Sequence, residues 1–192
     1  MKYLKWIIAV LALLSLSAFA FYKPTRLLIP QVFGISCSES GVCVDDPARR
    51  DTAAQIAVEA KQFLKTRWNL SVGNPKIIFC STTKCQHTFG HARTAGFTFG
   101  TVGIVIEPRG WQRYYVVHEL IHYWQSRTFG SLVRLRGKPW IIEGMAYSLS
   151  GDPRTTLHEP FETYRRKFAE WHHAHSDTPL RQSVGDLLRN AD

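Results

Sequence analysis

Residues 111–130 read WQRYYVVHELIHYWQSRTFG, and this stretch decides how the rest of the chain is interpreted. Its apolar residues recur at helical spacing up to Thr128, and Gly130 is a typical residue just beyond a helix end. Residues 118–122 read HELIH, an HExxH pattern. Histidines four residues apart lie on one helix face, so both imidazoles can reach a single metal ion with Glu119 beside them. The stretch therefore predicts a metal site on a helix.

The HELIH pattern alone also admits a plainer interpretation. A chain of 192 residues with 8 His and 8 Glu produces the pattern by chance about once in 70 sequences. The two histidines would then be ordinary core or surface residues of a helix. A second motif bears on the choice between these interpretations.

That second motif is PWIIEGMA at residues 139–146. Glu143 interrupts an otherwise apolar helix there, where a carboxylate is rare unless it is paired or binds a metal. A catalytic zinc site takes three protein ligands and keeps one position open for water, and two His with one Glu form a known set. We therefore expect Zn²⁺ to be held by His118, His122 and Glu143. Gly144 would let this helix approach the first one closely.

The two motifs together resemble the gluzincin class of zinc metallopeptidases, in which a second helix supplies a glutamate ligand. In the aminopeptidase N family that helix carries a similar W-x-x-E-G-x-A pattern, which is present here at residues 140–146. The resemblance covers about residues 111–150, and 20 residues separate His122 from Glu143. It implies a zincin-like scaffold, in which an edge strand of an upstream sheet, here residues 103–107, lines a cleft above the zinc helix and pairs with an extended peptide.

The resemblance also implies an activity, the zinc-dependent hydrolysis of a peptide or protein substrate. Zinc lowers the pKa of bound water to about 7, and Glu119 would be the general base that takes the proton and passes it to the leaving amine. Tyr147, His158 and Tyr164 are all candidates for stabilising the oxyanion, and the sequence leaves that choice open. It also leaves open a non-catalytic zinc-binding envelope module that acts in assembly or partner binding.

An uncharged apolar stretch occupies residues 6–22, with lysines before it and Lys23 and Arg26 after it. This layout is typical of an export signal, and the stretch lies near the lower limit of about 17 residues for spanning a bilayer. We predict that residues 1–22 form a signal or signal-anchor helix, with single-pass membrane anchoring favoured over cleavage near Ala20. The rest of the chain is then extracytoplasmic in the cell envelope, or periplasmic or secreted if the leader is cleaved.

Four cysteines lie in two close pairs, Cys37 with Cys43 and Cys80 with Cys85. Pairing of neighbours into two small disulfide loops suits an oxidising compartment, although four cysteines allow three pairings. A four-cysteine zinc site is the alternative. We expect two disulfides, the first of them in an extracytoplasmic connecting segment at residues 23–45.

The remaining pattern predicts an α+β fold, with a single small domain at residues 46–192 in which a short mixed sheet packs on the zinc-binding helices. Asp46 and Pro47 mark the start of a helix that continues to Asn69. Short runs rich in β-branched and aromatic residues predict strands at residues 76–80, 94–99 and 102–107, with His87 and His91 in a loop. Further helices are expected at residues 111–128, 139–150, 160–173 and 180–189.

The chain carries 24 Lys and Arg against 15 Asp and Glu, a formal net charge of +9. The basic residues are spread along the sequence without a recognised nucleic-acid-binding motif, so we expect no nucleic acid partner. The positive charge also admits a membrane-surface protein that binds anionic lipid. The sequence makes no prediction of oligomeric state.

Overall fold

The computed structural model describes residues 3, 4, 6, 7, 10, 23–91 and 94–190 of the chain. Within residues 23–190 the α-helices it describes are α1 (Lys23–Arg26), α2 (Arg50–Trp68), α3 (Thr83–Phe89), α4 (Arg113–Phe129), α5 (Val133–Arg136), α6 (Pro139–Leu149), α7 (Phe161–Ala174) and α8 (Leu180–Arg189). The strands are β1 (Ser36–Cys37), β2 (Val42–Val44), β3 (Ile77–Phe79), β4 (Gly96–Phe99) and β5 (Gly103–Ile106). The predicted α+β class is confirmed.

The strands form one mixed sheet in the order β1-β2-β3-β5-β4. The three inner strands are parallel, with Val42 opposite Ile77 and Ile77 opposite Ile104. The two outer strands run antiparallel to their neighbours. β4 and β5 form a hairpin whose turn holds Gly100 at φ 53°, a left-handed conformation that glycine adopts at little cost.

The edge strand next to the HELIH helix is β4, so the expectation that residues 103–107 form that edge is wrong. β5 lies between β3 and β4, and all four of its residues are buried. A continuous buried apolar run is typical of an inner strand. In β4, by contrast, Thr98 alone is buried, as suits a strand with one partner.

Alternate side chains of the inner strands enter two separate apolar cores. Ile77 and Ile104 lie in a large core that includes residues of α2, α4 and α6. Ile78 and Val105 lie in a smaller core on the other face, formed with the N-terminal segment and α3. A slip of one residue would exchange the two sets of side chains, so the two cores fix the strand register.

The helix predicted from Asp46 begins with a 3₁₀ turn at Pro47–Arg49 and continues as α2. Asp46 accepts a hydrogen bond from Ala48 N at 3.0 Å, and Asn69 ends α2 in the left-handed conformation at φ 52°. The four later helices are confirmed as α4, α6, α7 and α8, with ends that shift by at most two residues.

Three parts of the chain form elements that the sequence analysis does not predict. Residues 23–45, expected to be a connecting segment, contribute α1 and the strands β1 and β2. Helix α3 replaces part of an expected loop, so His87 lies on a helix. α5 is a single turn between α4 and α6. Each of these elements has at most seven residues, and a hydrophobic pattern identifies a helix only over a window of about 11 residues or more.

Both predicted disulfides are present and join Cys37 to Cys43 and Cys80 to Cys85. No free cysteine occurs in the described part of the chain, so the four-cysteine zinc site is excluded. Two disulfide bonds agree with an oxidising, extracytoplasmic environment.

None of the helices in the described residues is long and apolar enough to cross a lipid bilayer. The signal or anchor segment predicted at residues 1–22 lies largely outside the described residues, and it stays a prediction.

Candidate metal centre

His118, His122 and Glu143 bring three ligand atoms together between α4 and α6. His118 Nε2 lies 3.1 Å from His122 Nε2, and Glu143 Oε2 lies 3.5 and 3.4 Å from these two nitrogens. Atoms arranged tetrahedrally at about 2.1 Å from a zinc ion are about 3.4 Å from one another. The three side chains thus form a group that could hold a metal ion, at the positions where the sequence predicts one.

Gln125 orients the second histidine. Its Nε2 donates to the carbonyl of Ile142 at 3.0 Å, which leaves its Oε1 facing His122 Nδ1 at 2.9 Å. Because Oε1 can only accept, His122 carries its proton on Nδ1 and presents the lone pair of Nε2 to the other ligand atoms. Metal-binding histidines are commonly oriented by such a contact on the other ring nitrogen. The same glutamine also ties α4 to α6, one residue before Glu143.

Glu143 is held in its charged form. Burial alone would raise its pKa, but the neighbouring His122 and His118 hold the pKa of this carboxyl well below its usual value. Its second oxygen, Oε1, lies 3.6 Å from Nη2 of Arg134 on α5. A carboxylate must be deprotonated to bind a metal, so this environment suits a ligand.

Gly144 has a different role from the one expected. A Cβ atom at this position would lie 2.4 Å from Tyr164 O and 3.0 Å from Phe168 Cβ, and both of these atoms belong to α7. The missing side chain therefore lets α6 approach α7, and the expectation that Gly144 serves the approach of α6 to α4 is wrong. Successive residues of a helix point about 100° apart, so Glu143 and Gly144 face different neighbours.

Glu119 is buried against the edge strand β4. Thr98 Oγ1 lies 2.7 Å from Glu119 Oε2 and 2.9 Å from the Glu119 carbonyl oxygen. A Cβ atom on Gly96 would lie 2.8 Å from Glu119 Cγ, so the strand comes this close because residue 96 is glycine. β4 therefore fixes the carboxylate beside the three candidate ligands.

The three candidate ligands and Glu119 line a cleft of about 430 Å³ between β4, α4 and α6. Comparisons of the chain with models of protein families, with curated proteins and with solved structures give no match. The resemblance of the two motifs to a peptidase class thus stays a prediction.

Of the three candidates for stabilising an oxyanion, Tyr147 lines this cleft, whereas His158 and Tyr164 do not. The Tyr147 ring centre lies 4.4 Å from that of His118. Burial, followed by the negative charge of Glu143, raises the pKa of Tyr147 to about 12. Its hydroxyl therefore stays protonated and able to donate a hydrogen bond at neutral pH.

The other histidines lie apart from this group. The rings of His172 and His175 contact Phe168 and Trp171 on α7. His91 packs on the rings of Phe97 and Phe99. Among the described residues, the one group of three or more side chains that could hold a metal is that of His118, His122 and Glu143.

Three residues at the centre were missed by the sequence analysis, namely Thr98, Gln125 and Arg134. Gln125 carries a visible signal, because a residue three positions after His122 is its neighbour on a helix. Thr98 and Arg134 carry none, since their contacts depend on the pairing of β4 and on the position of α5.

Proposed function

We propose that this protein is a zinc metallopeptidase of the gluzincin type with a zincin-like domain, acting outside the cytoplasm in the cell envelope. The proposal rests on one observation. His118 Nε2, His122 Nε2 and Glu143 Oε2 lie close together in an open cleft, and the Glu119 carboxylate lies beside them. Two His and one Glu that leave a position for water are a catalytic ligand set, since structural zinc sites are closed by four protein ligands.

Histidine and carboxylate ligands in such a site favour zinc. When bound, zinc supplies a Lewis acid that polarises a carbonyl group and makes a water molecule more acidic. The lone pair that Gln125 directs towards the site supports a bound cation.

The chain's own residues supply the proton transfers. Glu119 is the general base, taking a proton from the attacking water and giving it to the nitrogen of the leaving amine, so one water is added as the C–N bond breaks. Thr98 holds the carboxylate of Glu119 through its hydroxyl. Tyr147 donates a hydrogen bond to the oxyanion.

β4 is the strand that would pair with an extended peptide, because it is the sheet edge that contacts the base. Residues 1–22 would anchor the protein to the membrane, and the disulfides Cys37–Cys43 and Cys80–Cys85 support export. The substrate is then a peptide or protein outside the cytoplasm.

The first experiment measures bound metal in the full chain, exported and purified in detergent. We expect about one zinc per wild-type chain, a sharp loss in Glu143→Gln, and full retention in Glu119→Gln. Glu170→Gln is the matched control, because this carboxylate is 72% exposed on α7.

The second measurement is cleavage of a peptide mixture, read by mass spectrometry. Wild type should cleave, and Glu119→Gln should not. A folded wild type without zinc would refute the proposal. Zinc that is retained without any cleavage would favour a non-catalytic zinc-binding module.

A further inference from the structure

The cleft carries positive charge that the proposed hydrolysis does not use. Glu119 and Glu143 already have roles as base and ligand. The remaining side chains with a permanent charge among the described cleft residues are Arg109, Arg134 and Arg154. Arginine forks match the planar geometry of a carboxylate, so such a lining selects for an anionic group.

Arg154 is held in place by a buried carboxylate, that of Asp152. Its Nε donates to the two oxygens of Asp152 at 2.9 and 3.1 Å, and its Nη2 also pairs with Asp152. The side chain of Asp152 is 2% exposed, whereas that of Arg154 is 40% exposed. The guanidinium carbon lies 5.4 Å from the ring centre of Tyr115, one turn before His118 on α4. Asp152 and Tyr115 therefore hold Arg154 in place, and Arg154 lines the cleft.

Arg134 also lines the cleft and covers the free edge of β4 at Thr98. Its Nη1 donates to the carbonyl of Thr98 at 2.8 Å, and its guanidinium carbon lies 5.0 Å from the ring centre of Phe97. In an antiparallel pair, alternate residues turn their backbone groups away from the partner strand. Thr98 is such a residue, but Arg134 occupies its carbonyl. A peptide that pairs with β4 can form hydrogen bonds with the backbone groups of Gly96. The paired part of the peptide then ends beside the guanidinium of Arg134.

We propose that the substrate is an acidic peptide, with a carboxylate within a few residues of the scissile bond that pairs with Arg154 or Arg134. This inference rests on the proposed peptidase function. The carboxylate comes from an Asp or Glu side chain or from a free C-terminus, since both present the same planar anion. Arg154 discriminates between substrates, because its side chain is 40% exposed, whereas that of Arg134 is 21% exposed and donates to the Thr98 carbonyl.

The test uses the full chain in detergent with peptides derived from the cleaved mixture. Each peptide is made with Glu or Gln at every position near the cleaved bond, and with a free or an amidated C-terminus. Cleavage is measured as kcat/KM on wild type. Binding of the same fluorescent peptides is measured by anisotropy on Glu119→Gln, with and without added zinc. If no peptide of the mixture is cleaved, binding is measured on a fixed set of Glu and Gln decapeptides.

We expect the Glu peptide or the free acid to be favoured by about fivefold at low salt, with the preference shrinking in high salt. The double variant Asp152→Asn with Arg154→Gln replaces the ion pair by two amides, and in it the ratio should fall below about twofold. Arg166→Gln removes one positive charge from a residue on α7 that is 70% exposed and outside the cleft lining, and it should keep the ratio.

The outcomes separate the two proposals. Cleavage with equal rates for Glu and Gln peptides overturns the acidic preference and leaves the peptidase standing. A binding preference for the acidic peptides without cleavage supports the cleft assignment and refutes the peptidase. A preference that survives in the double variant overturns the role of Arg154, and equal or absent binding of both peptides overturns the inference as a whole.

Discussion

Replacing Gln125 by leucine should weaken metal binding without removing a ligand. The change deletes the acceptor of His122 Nδ1, 2.9 Å away, and the donor to the Ile142 carbonyl at 3.0 Å. His122 is 1% exposed, so water cannot replace the lost acceptor. Leaving a buried donor without a partner costs about 1 to 3 kcal/mol. The loss of an orienting contact on a ligand lowers metal affinity by about 10- to 100-fold.

Two measurements check this expectation. Competition with a chromophoric chelator gives the zinc affinity, and thermal unfolding of the metal-free chain should show a melting temperature lower by about 2 to 10 °C. Gln125→Glu keeps an acceptor for His122 but loses the donor to Ile142, so its zinc affinity should fall less than that of the leucine variant.

The control for the leucine variant is Ser126→Ala. This neighbouring residue is also buried, and its hydroxyl has no hydrogen-bond partner in the described part of the chain. Its removal should leave zinc affinity unchanged. The proposed role of Gln125 fails if the leucine variant binds zinc as tightly as Ser126→Ala, or if Gln125→Glu loses as much affinity as leucine.

Three further predictions concern single side chains. Tyr147→Phe should lower kcat by about 100-fold with zinc content unchanged, because it removes one hydrogen-bond donor to the oxyanion. An unaltered kcat would leave His158 or Tyr164 as the residue that stabilises the oxyanion. Gly144→Ala should destabilise the fold by about 1 to 3 kcal/mol in thermal unfolding, because the new Cβ would meet Tyr164 O at 2.4 Å. A variant with the melting temperature of wild type would show that α6 and α7 can separate freely. Burial alone would raise the pKa of Asp45, but hydrogen bonds from Thr82 and Ser81 lower it below its usual value. The ionised carboxylate therefore stabilises the fold above about pH 4, and this contribution is lost as the pH falls further. Asp45→Asn should have a lower melting temperature than wild type at pH 7, and the two melting temperatures should converge in acid. A difference in melting temperature that stays constant at every pH would contradict this reasoning.

The sequence could predict the candidate ligands because their placement depends on local spacing. His118 and His122 are neighbours on any helix, and the apolar spacing of residues 111–128 predicts that helix. Glu143 could be predicted because a carboxylate in an apolar helix needs a partner. The edge strand could not be predicted, since the runs at 94–99 and 102–107 both have strand composition and their order in the sheet depends on which one reaches β3.

The contacts that hold Glu119 and Gln125 in place could not be predicted, because each of them joins residues from elements distant in the chain. Thr98 lies 21 residues before Glu119, and Ile142 lies 17 residues after Gln125. A glutamine after a histidine pair can turn its side chain to solvent as easily as to the imidazole. It faces His122 here because its amide nitrogen is taken by a carbonyl of α6, and that carbonyl is in reach only after the two helices have packed. Local spacing thus predicts that His118 and His122 can share a metal, whereas the packing of α4 against α6 determines that His122 presents the lone pair of Nε2.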